Sequence, residues 1–357
     1  MKKRNYALLC GMCIFFLAAF LHPGSVWAEK STKSITLTYT LHTPPPPKWG
    51  GTNDQASIEY WAKQIEAQTQ GRVKFKMFYG GVLGKVTDFV KMVGGTGVAD
   101  VGNIIGSYNQ WTLPLFAGAM NPFLTTGIDT EARAITKLYN EWAPMREEWT
   151  KHNLKPLWWY VIDPYSLAIK KEITRLEDLQ GDKIWAAGGF AEIVKMYRIT
   201  PVFFPATQVY EALQKGTIDG IIFPHGPISI FKFHEVANVL VDLGFMGCQT
   251  PAAQAINLDV WKKISPADQK TIERISAGMH EWFLNYTEKD KARLDNLYKS
   301  QGVKFISFSP EEQSQIKDKC AEAVWADWVK KAEGKGIPAK EFLQRYRAAV
   351  AEVSKGK

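Results

Sequence analysis

The period of the apolar positions changes along this chain, and each change marks an element. Apolar and polar residues alternate over 34–41 and again over 72–79, which predicts two half-buried strands. Between them Ile58, Trp61, Ala62 and Ile65 fall at helical spacing, with Asn53 or Asp54 as the cap and Gly71 as the stop. A third strand over 98–105 follows, and its exit loop, Gly106 to Trp111, lies at the edge where α/β sheets place ligands. A helical stretch over 129–152 leads to a strand over 156–162 dense in aromatic residues, where the chain is expected to cross into a second lobe. That lobe takes short strands over 167–170, 183–187, 202–204, 218–223 and 239–242, with helices over 190–197 and 208–215. The run 252–258 returns the chain to the first lobe, and from Pro266 the pattern is helical to about Ser300, then over 311–333 and 339–353. Strands alternating with longer amphipathic runs predict an α/β architecture with mainly parallel sheets. With 357 residues, two lobes are expected over a single core: 34–162 plus 249–288, and 163–248 plus 289–357.

Composition changes this picture at the N-terminus. Lys2, Lys3 and Arg4 precede an apolar run over 6–21, and Val26 and Ala28 supply small residues at the cleavage-defining positions, which predicts a Sec-type signal peptide over 1–28. The run is short for a membrane span, and nothing later in the sequence approaches the length of one. Removal of the three bases takes the formal net charge from +8 to +5, and the remaining bases are interspersed with acids, as on a solvated surface and unlike a nucleic-acid face. Cys10 and Cys13 lie inside the removed segment. Cys248 and Cys320 survive processing, and an oxidising compartment would permit them to bridge.

Two segments carry the most specific signal: LEDLQGDKIW over 176–185 and VYEALQKGTIDG over 209–220. They resemble the signature of the solute-binding receptors of TRAP (tripartite ATP-independent periplasmic) transporters, in which "eDLkGlKiR" opens one lobe and "vy.aLq.G.vDg" follows. Further matches fall in the same order: TQGRVKFK within 61–84, the surroundings of Asp100, Pro114 to Phe123, and the "N.dvW" run from Asn257. The resemblance covers nearly the whole mature chain. It implies a two-lobed periplasmic binding protein fold with a hinge and a long helix packed across both lobes. It also implies a monomer that captures a small solute and hands it to membrane permease subunits, without catalysis, cofactor or metal.

Where the resemblance is carried over residue by residue, the family's polar grip is replaced. The arginine after "GlKi", which grips a carboxylate, is Trp185; a second arginine of the sialic-acid branch falls on Tyr165 or Pro164; the position before the proline after "vDg" is Phe223, and the metal-holding glutamate beside it is Ile222. A ligand carboxylate that loses its charged partner in a buried site is penalised. Aromatic faces favour flat, apolar partners. The expected cargo is therefore small and aromatic or largely apolar, and Trp49, Trp111, Trp158 and Phe190 are further candidate walls. Trp158 and Trp159 point to opposite faces of a strand, so at most one of them lines a pocket. For an oxygen on the cargo, the candidates are the backbone at Gly188 and Gly189 opening a helix, His42 at the end of the first strand, His225 near the rim of the second lobe, and Asn103 near the end of its strand. Asn257 is read as bracing backbone.

An enzyme has no support in the motifs: the sequence has no His-Glu-x-x-His, no Walker loop and no nucleophile elbow. A periplasmic sensor that presents its closed form to a chemoreceptor or kinase shares every feature of a transport receptor and remains the alternative.

Overall fold

Strand formation follows the alternation. Ile35–Thr40 (β1) pairs in parallel with Val73–Phe78 (β2) along its whole length, and the helix Asn53–Gln68 is the crossover between them. That helix buries Ile58, Trp61 and Ile65 against the sheet. The cap is Thr52: the Gln55 side chain accepts from its amide at 3.2 Å, and Asn53 and Asp54 lie inside the first turn. The computed structural model describes residues 34–48, 51–125, 127–247 and 249–355. The signal peptide, Trp49 and Cys248 lie outside them.

The remaining strands are Val101–Ile105 (β3), Leu154–Val161 (β4), Tyr165–Ile169 (β5), Lys183–Trp185 (β6), Thr200–Val202 (β7), Gly220–Pro224 (β8), Val239–Asp242 (β9), Pro251–Asn257 (β10) and Lys304–Ser307 (β11). They form two sheets, ordered β2-β1-β3-β10-β4 and β11-β9-β5-β8-β6-β7. Each is parallel apart from one strand, β10 in the first and β5 in the second. The exceptions have a topological cause. The chain leaves the first sheet at the end of β4, enters the second as β5, and returns from β9 into β10, so each arriving strand runs against its neighbours. The two crossings are tied together: Ile162 N–H donates to Thr250 O at 2.9 Å and Leu243 N–H to Tyr165 O at 3.0 Å.

The carboxyl ends of β1, β3, β4, β6 and β8 all face the gap between the sheets. A 22-residue helix, Met279–Ser300, spans that gap from outside, packing on the 53–68 helix and β4 at one end and on the short helix His225–Ile230 at the other. The long helical stretch expected over 129–152 is two helices, Ile128–Glu141 and Ala143–Thr150, because Pro144 cannot donate to the preceding turn and begins a new helix. Edge strand β11 and the 225–230 helix are additions that no periodicity announced.

The C-terminal segment needs a correction. All of 289–357 was expected with the second lobe, yet the last helix, Ala339–Lys355, packs on the 128–141 helix and buries Phe342 and Tyr346 in the core of the first. The helix before it, Pro310–Glu333, joins both cores, with Ile316 and Val324 in one and Trp325 in the other. Trp325 also donates its indole N–H to Pro122 O at 2.7 Å. Its Cys320 is a buried free thiol among the described residues, pushed up to about 11 by burial.

Gly118 is where the C-terminal helices meet the first lobe. A Cβ there would lie 2.7 Å from Trp328 Cζ2 and 2.9 Å from Phe342 Cε1. Gly118→Ala should therefore cost roughly 1–3 kcal/mol through overpacking, while Gly95→Ala, which meets open space, should leave the thermal midpoint unchanged. Equal midpoints for the two variants would show that this docking is not tight.

Candidate ligand-binding site

Strand ends at the gap bring side chains from both lobes to one cavity. From the first lobe come His42 just beyond β1, Asp54 in the first helix, Ser107 and Tyr108 after β3, and Ile162 after β4. From the second come Tyr165 opening β5, Trp185 closing β6, Phe223 and Pro224 closing β8, and Phe231. The carboxyl end of parallel strands is where open α/β sheets bind ligands. The space left is about 20 Å³, room for one water, so a larger cargo enters only when the lobes part.

Trp185 organises the wall. It is buried, its indole N–H donates to Phe204 O at 2.8 Å, and its ring lies 4.8 Å from Phe203 and 5.4 Å, edge-on, from Phe223. Phe223 in turn stands edge-on to Phe231 at 5.8 Å. Tyr108, from the other lobe, meets Phe203 at 5.6 Å across the gap and has His42 of its own lobe at 6.4 Å, closing the mouth with rings. Such tilted and edge-on pairs contribute about 0.5–1.5 kcal/mol each beyond area burial. Tyr165 turns its hydroxyl to Thr250 Oγ1, so its ring and not its polar tip is what the cavity meets.

The polar groups are few. His42 Nδ1 is 3.2 Å from Asn103 Oδ1, and Asn103 Nδ2–H donates to Tyr160 Oη at 3.2 Å. Burial pushes the imidazole down to about 4, against the opposing effect of its hydrogen bond to Asn103 Oδ1. Asp54 is raised by burial, against hydrogen bonds from the Thr52 hydroxyl and the Gln55 amide. No arginine or lysine lines this cavity among the described residues.

The structure brings His42, Tyr165, Trp185 and Phe223 together and puts Asn103 directly behind His42. The other candidates lie elsewhere. His225 opens the short helix after Pro224, and with Pro224 facing the gap its own side chain turns away, toward Ser166 Oγ at 3.1 Å and the Tyr298 ring. There it borders a separate cavity of about 590 Å³ on the far side of the crossings, lined also by the 279–300 helix and β11. That space is larger, but the parallel-strand carboxyl ends that open into it are Asp242 of β9 and Ser307 of β11, at one edge of the second sheet, and its rim includes the charged Glu288, Lys291 and Asp295. Trp111 is 45% exposed and lies under Lys335 Nζ at 5.2 Å. Gly189 faces the same side, and a Cβ on it would sit 2.3 Å from Pro122 Cδ, so the helix start at Gly188 packs on the first lobe and lies outside the cavity between the strand ends. Phe190 is core, 4.8 Å from the Tyr165 ring. Of the tryptophan pair, Trp158 packs on Trp61 and Trp159 bonds Thr136 on the outer face, so neither is a wall. Asn257 braces backbone, accepting from Asp259 and Val260 N–H and donating to Val93 O. Asp54, Tyr108 and Phe231 were missed. Asp54 has the composition of a cap, and the two rings sit in loops where no periodicity speaks.

A family model for bacterial extracellular solute-binding proteins, family 7, matches residues 51–331. This chain belongs to that family, as a solute-binding protein of the TRAP type. The TRAP receptor is 22% identical over 228 residues to the uncharacterized protein YiiZ of Salmonella typhimurium, a match covering 61% of this chain and 66%, just under two thirds, of that one. Two solved TRAP solute-binding proteins from Rhodoferax ferrireducens share its fold. One, holding copurified benzoate, superposes with a TM-score of 0.79 at 21% identity, covering 90% of this chain and 99% of that one. The other, with bound malonate, gives 0.73 at 18%, covering 88% and 98%. One fold thus serves an aromatic and an aliphatic acid, and the fold alone assigns this receptor no cargo.

His42 supplies a direct check on the site. A histidine whose folded-state pKa lies below its unfolded value stays neutral on acidification, and its burial costs stability as pH falls below about 6.5 toward the folded value. The His42 ring signals should stay flat by NMR from pH 8 to about 5.5, and a midpoint near the ordinary value would mean that the ring is solvated and the cavity open.

Proposed function

We propose that this receptor captures a small, largely apolar solute carrying a ring in the cavity between its lobes and presents the closed complex to the permease subunits of a TRAP transporter. The observation that carries the reading is Trp185, buried at the end of β6 with its N–H already bonded, where the resembling receptors keep an arginine. A ring slid between Trp185, Phe223 and Tyr165 on one lobe and Tyr108 on the other would replace the present contacts across the gap by contacts to itself. Binding and closure are then one equilibrium, because the cargo touches both lobes only when they are shut. Export through the signal peptide places the receptor in the periplasm, where the permease can reach it.

Removal of the ring is the test. Trp185→Ala should weaken ring-bearing ligands found by a thermal-shift panel at least about tenfold, equivalent to 1.4 kcal/mol, when dissociation constants are measured by calorimetry. Unchanged constants, or a panel in which only aliphatic diacids and sugar acids shift the midpoint, would overturn the aromatic reading.

A further inference from the structure

The rings select a flat cargo; the polar atoms between them select what that ring carries. Tyr165 and Tyr108 have their hydroxyls committed, to Thr250 and to the backbone of Ala206. Of the titratable groups His42 and Asp54 remain, beside the hydroxyls of Thr43, Ser107 and Thr250. Asn103 Nδ2 is spent on Tyr160, which turns its carbonyl oxygen toward His42. An oxygen accepts only, so His42 Nδ1 is the donor, and the neutral ring keeps Nε2 as an acceptor. Asp54, 2% exposed, receives the Thr52 hydroxyl and the Gln55 amide on Oδ1. Its Oδ2 has no hydrogen bond among the described residues. The titratable groups left open to the cargo are thus both acceptors.

The surroundings reinforce the sign. Asp290 and Asp54 both add like charge at Asp163, and Asp54 does so at Asp290 on the 279–300 helix. Among the described residues the cation paired into this group is Arg293, 2.6 Å from Asp290 Oδ1. Three carboxyls against one guanidinium, where the cavity meets the hinge, favour a cationic group over an anionic one there.

We infer that the cargo is an aromatic amine, its ring against Trp185 and Phe223 and its ammonium donating to Asp54 Oδ2 and His42 Nε2. This rests on the aromatic reading of the cavity and goes beyond it. An ammonium supplies the N–H donors that both acceptors lack, forms a charge-assisted bond to the carboxylate, and is favoured by ring faces. A carboxylate on the same ring would meet Asp54 with like charge and no arginine, unlike a site built for an acid.

Three probes share one ring and differ in the tail: tyramine, tyrosol and para-hydroxyphenylacetate, titrated by calorimetry into the mature chain at neutral pH. Tyramine should bind at least about tenfold tighter than the acid, with the alcohol between them. Asp54→Asn, which retains the Oδ1 contacts, should weaken tyramine about tenfold and leave tyrosol nearly unchanged. If that variant misfolds, as a melting curve would show, the order of the three probes on the wild type decides alone. Tightest binding by para-hydroxyphenylacetate overturns the inference, as does absence of tyramine binding at millimolar concentration or a tyramine constant indifferent to Asp54→Asn in a folded protein. If the acid or alcohol binds and loses affinity in Trp185→Ala, the aromatic reading stands while the amine falls; if only uronates or malonate bind, both fall.

Discussion

The hinge is held by one carboxylate. Asp163, two residues beyond β4 where the chain leaves the first lobe, accepts from Asn53 Nδ2 at 2.6 Å and from Gly226 N–H at 3.2 Å. Asn53 opens the first lobe's first helix, and Gly226 is the second residue of the second lobe's 225–230 helix. Asn53 also donates its own amide to Asp290 and its side-chain N–H to Thr287, both on the long outer helix. Four elements from two lobes therefore meet at one buried side chain. Gly226 is required there: a Cβ would lie 2.4 Å from Asp163 Oδ2. Burial pushes Asp163 up to about 7, against the hydrogen bond from Asn53, with Asp290 and Asp54 adding like charge. Its ionisation is thus balanced near neutrality. A carboxyl raised in the folded state lends stability in full below its unfolded pKa and loses it as pH climbs to the folded value, so this joint tightens on mild acidification.

Hinge and cavity are consecutive in the chain. Asn53 belongs to the joint and Asp54, the next residue, to the cargo site, both fixed by the same helical turn whose cap is Thr52. Pro44, in the polyproline loop at the mouth of β1, is tied to that turn by Gln55 Nε2–H at 2.9 Å. Anything that pulls on Asp54 is felt at Asn53, and through it at Asp163 and the outer helix. The small cavity volume and the aromatic contacts across the mouth belong to the same arrangement: the lobes are already close, and opening them rotates the chain about the two crossings.

Most of the scaffold was legible because it obeys periodicity. β1, β2, β9 and the 53–68, 310–333 and 339–355 helices fall where alternation and helical spacing put them, and the crossing of the chain after β4 followed from its aromatic strand and the change of pattern beyond it. The places that were not legible share a physical cause. Where the 339–355 helix docks depends on a complementary surface around Gly118, which leaves no mark in the helix's own spacing. His225 turned away from the cleft because it begins a helix directly after Pro224 ends β8, and a single residue reverses the face. Gly188 and Gly189 read as a helix start able to hold an anion, but packing of Gly189 against Pro122 sets that start away from the cavity at the strand ends. Of the site, His42, Tyr165, Trp185 and Phe223 were reachable from strand ends and from the resemblance, whereas Asp54 has the appearance of a cap and its role is visible only once β1 and the hinge are in place.

The same division explains why kinship stops short of cargo. Strand order, crossings and outer helix are set by scores of core positions, which tolerate substitution while volume and pattern are kept. The cargo is set by a few side chains at strand ends, and these make no demand on the backbone: Trp185 occupies the end of β6, paired in register with Ile221, as any large residue could. Replacing a guanidinium by an indole there leaves the fold intact and removes the one fixed positive charge. Once that charge is gone, the buried acceptors beside it govern the electrostatics of the cavity, and Asp54, elsewhere no more than a polar residue in a first helical turn, becomes the group that decides the sign of what can be held.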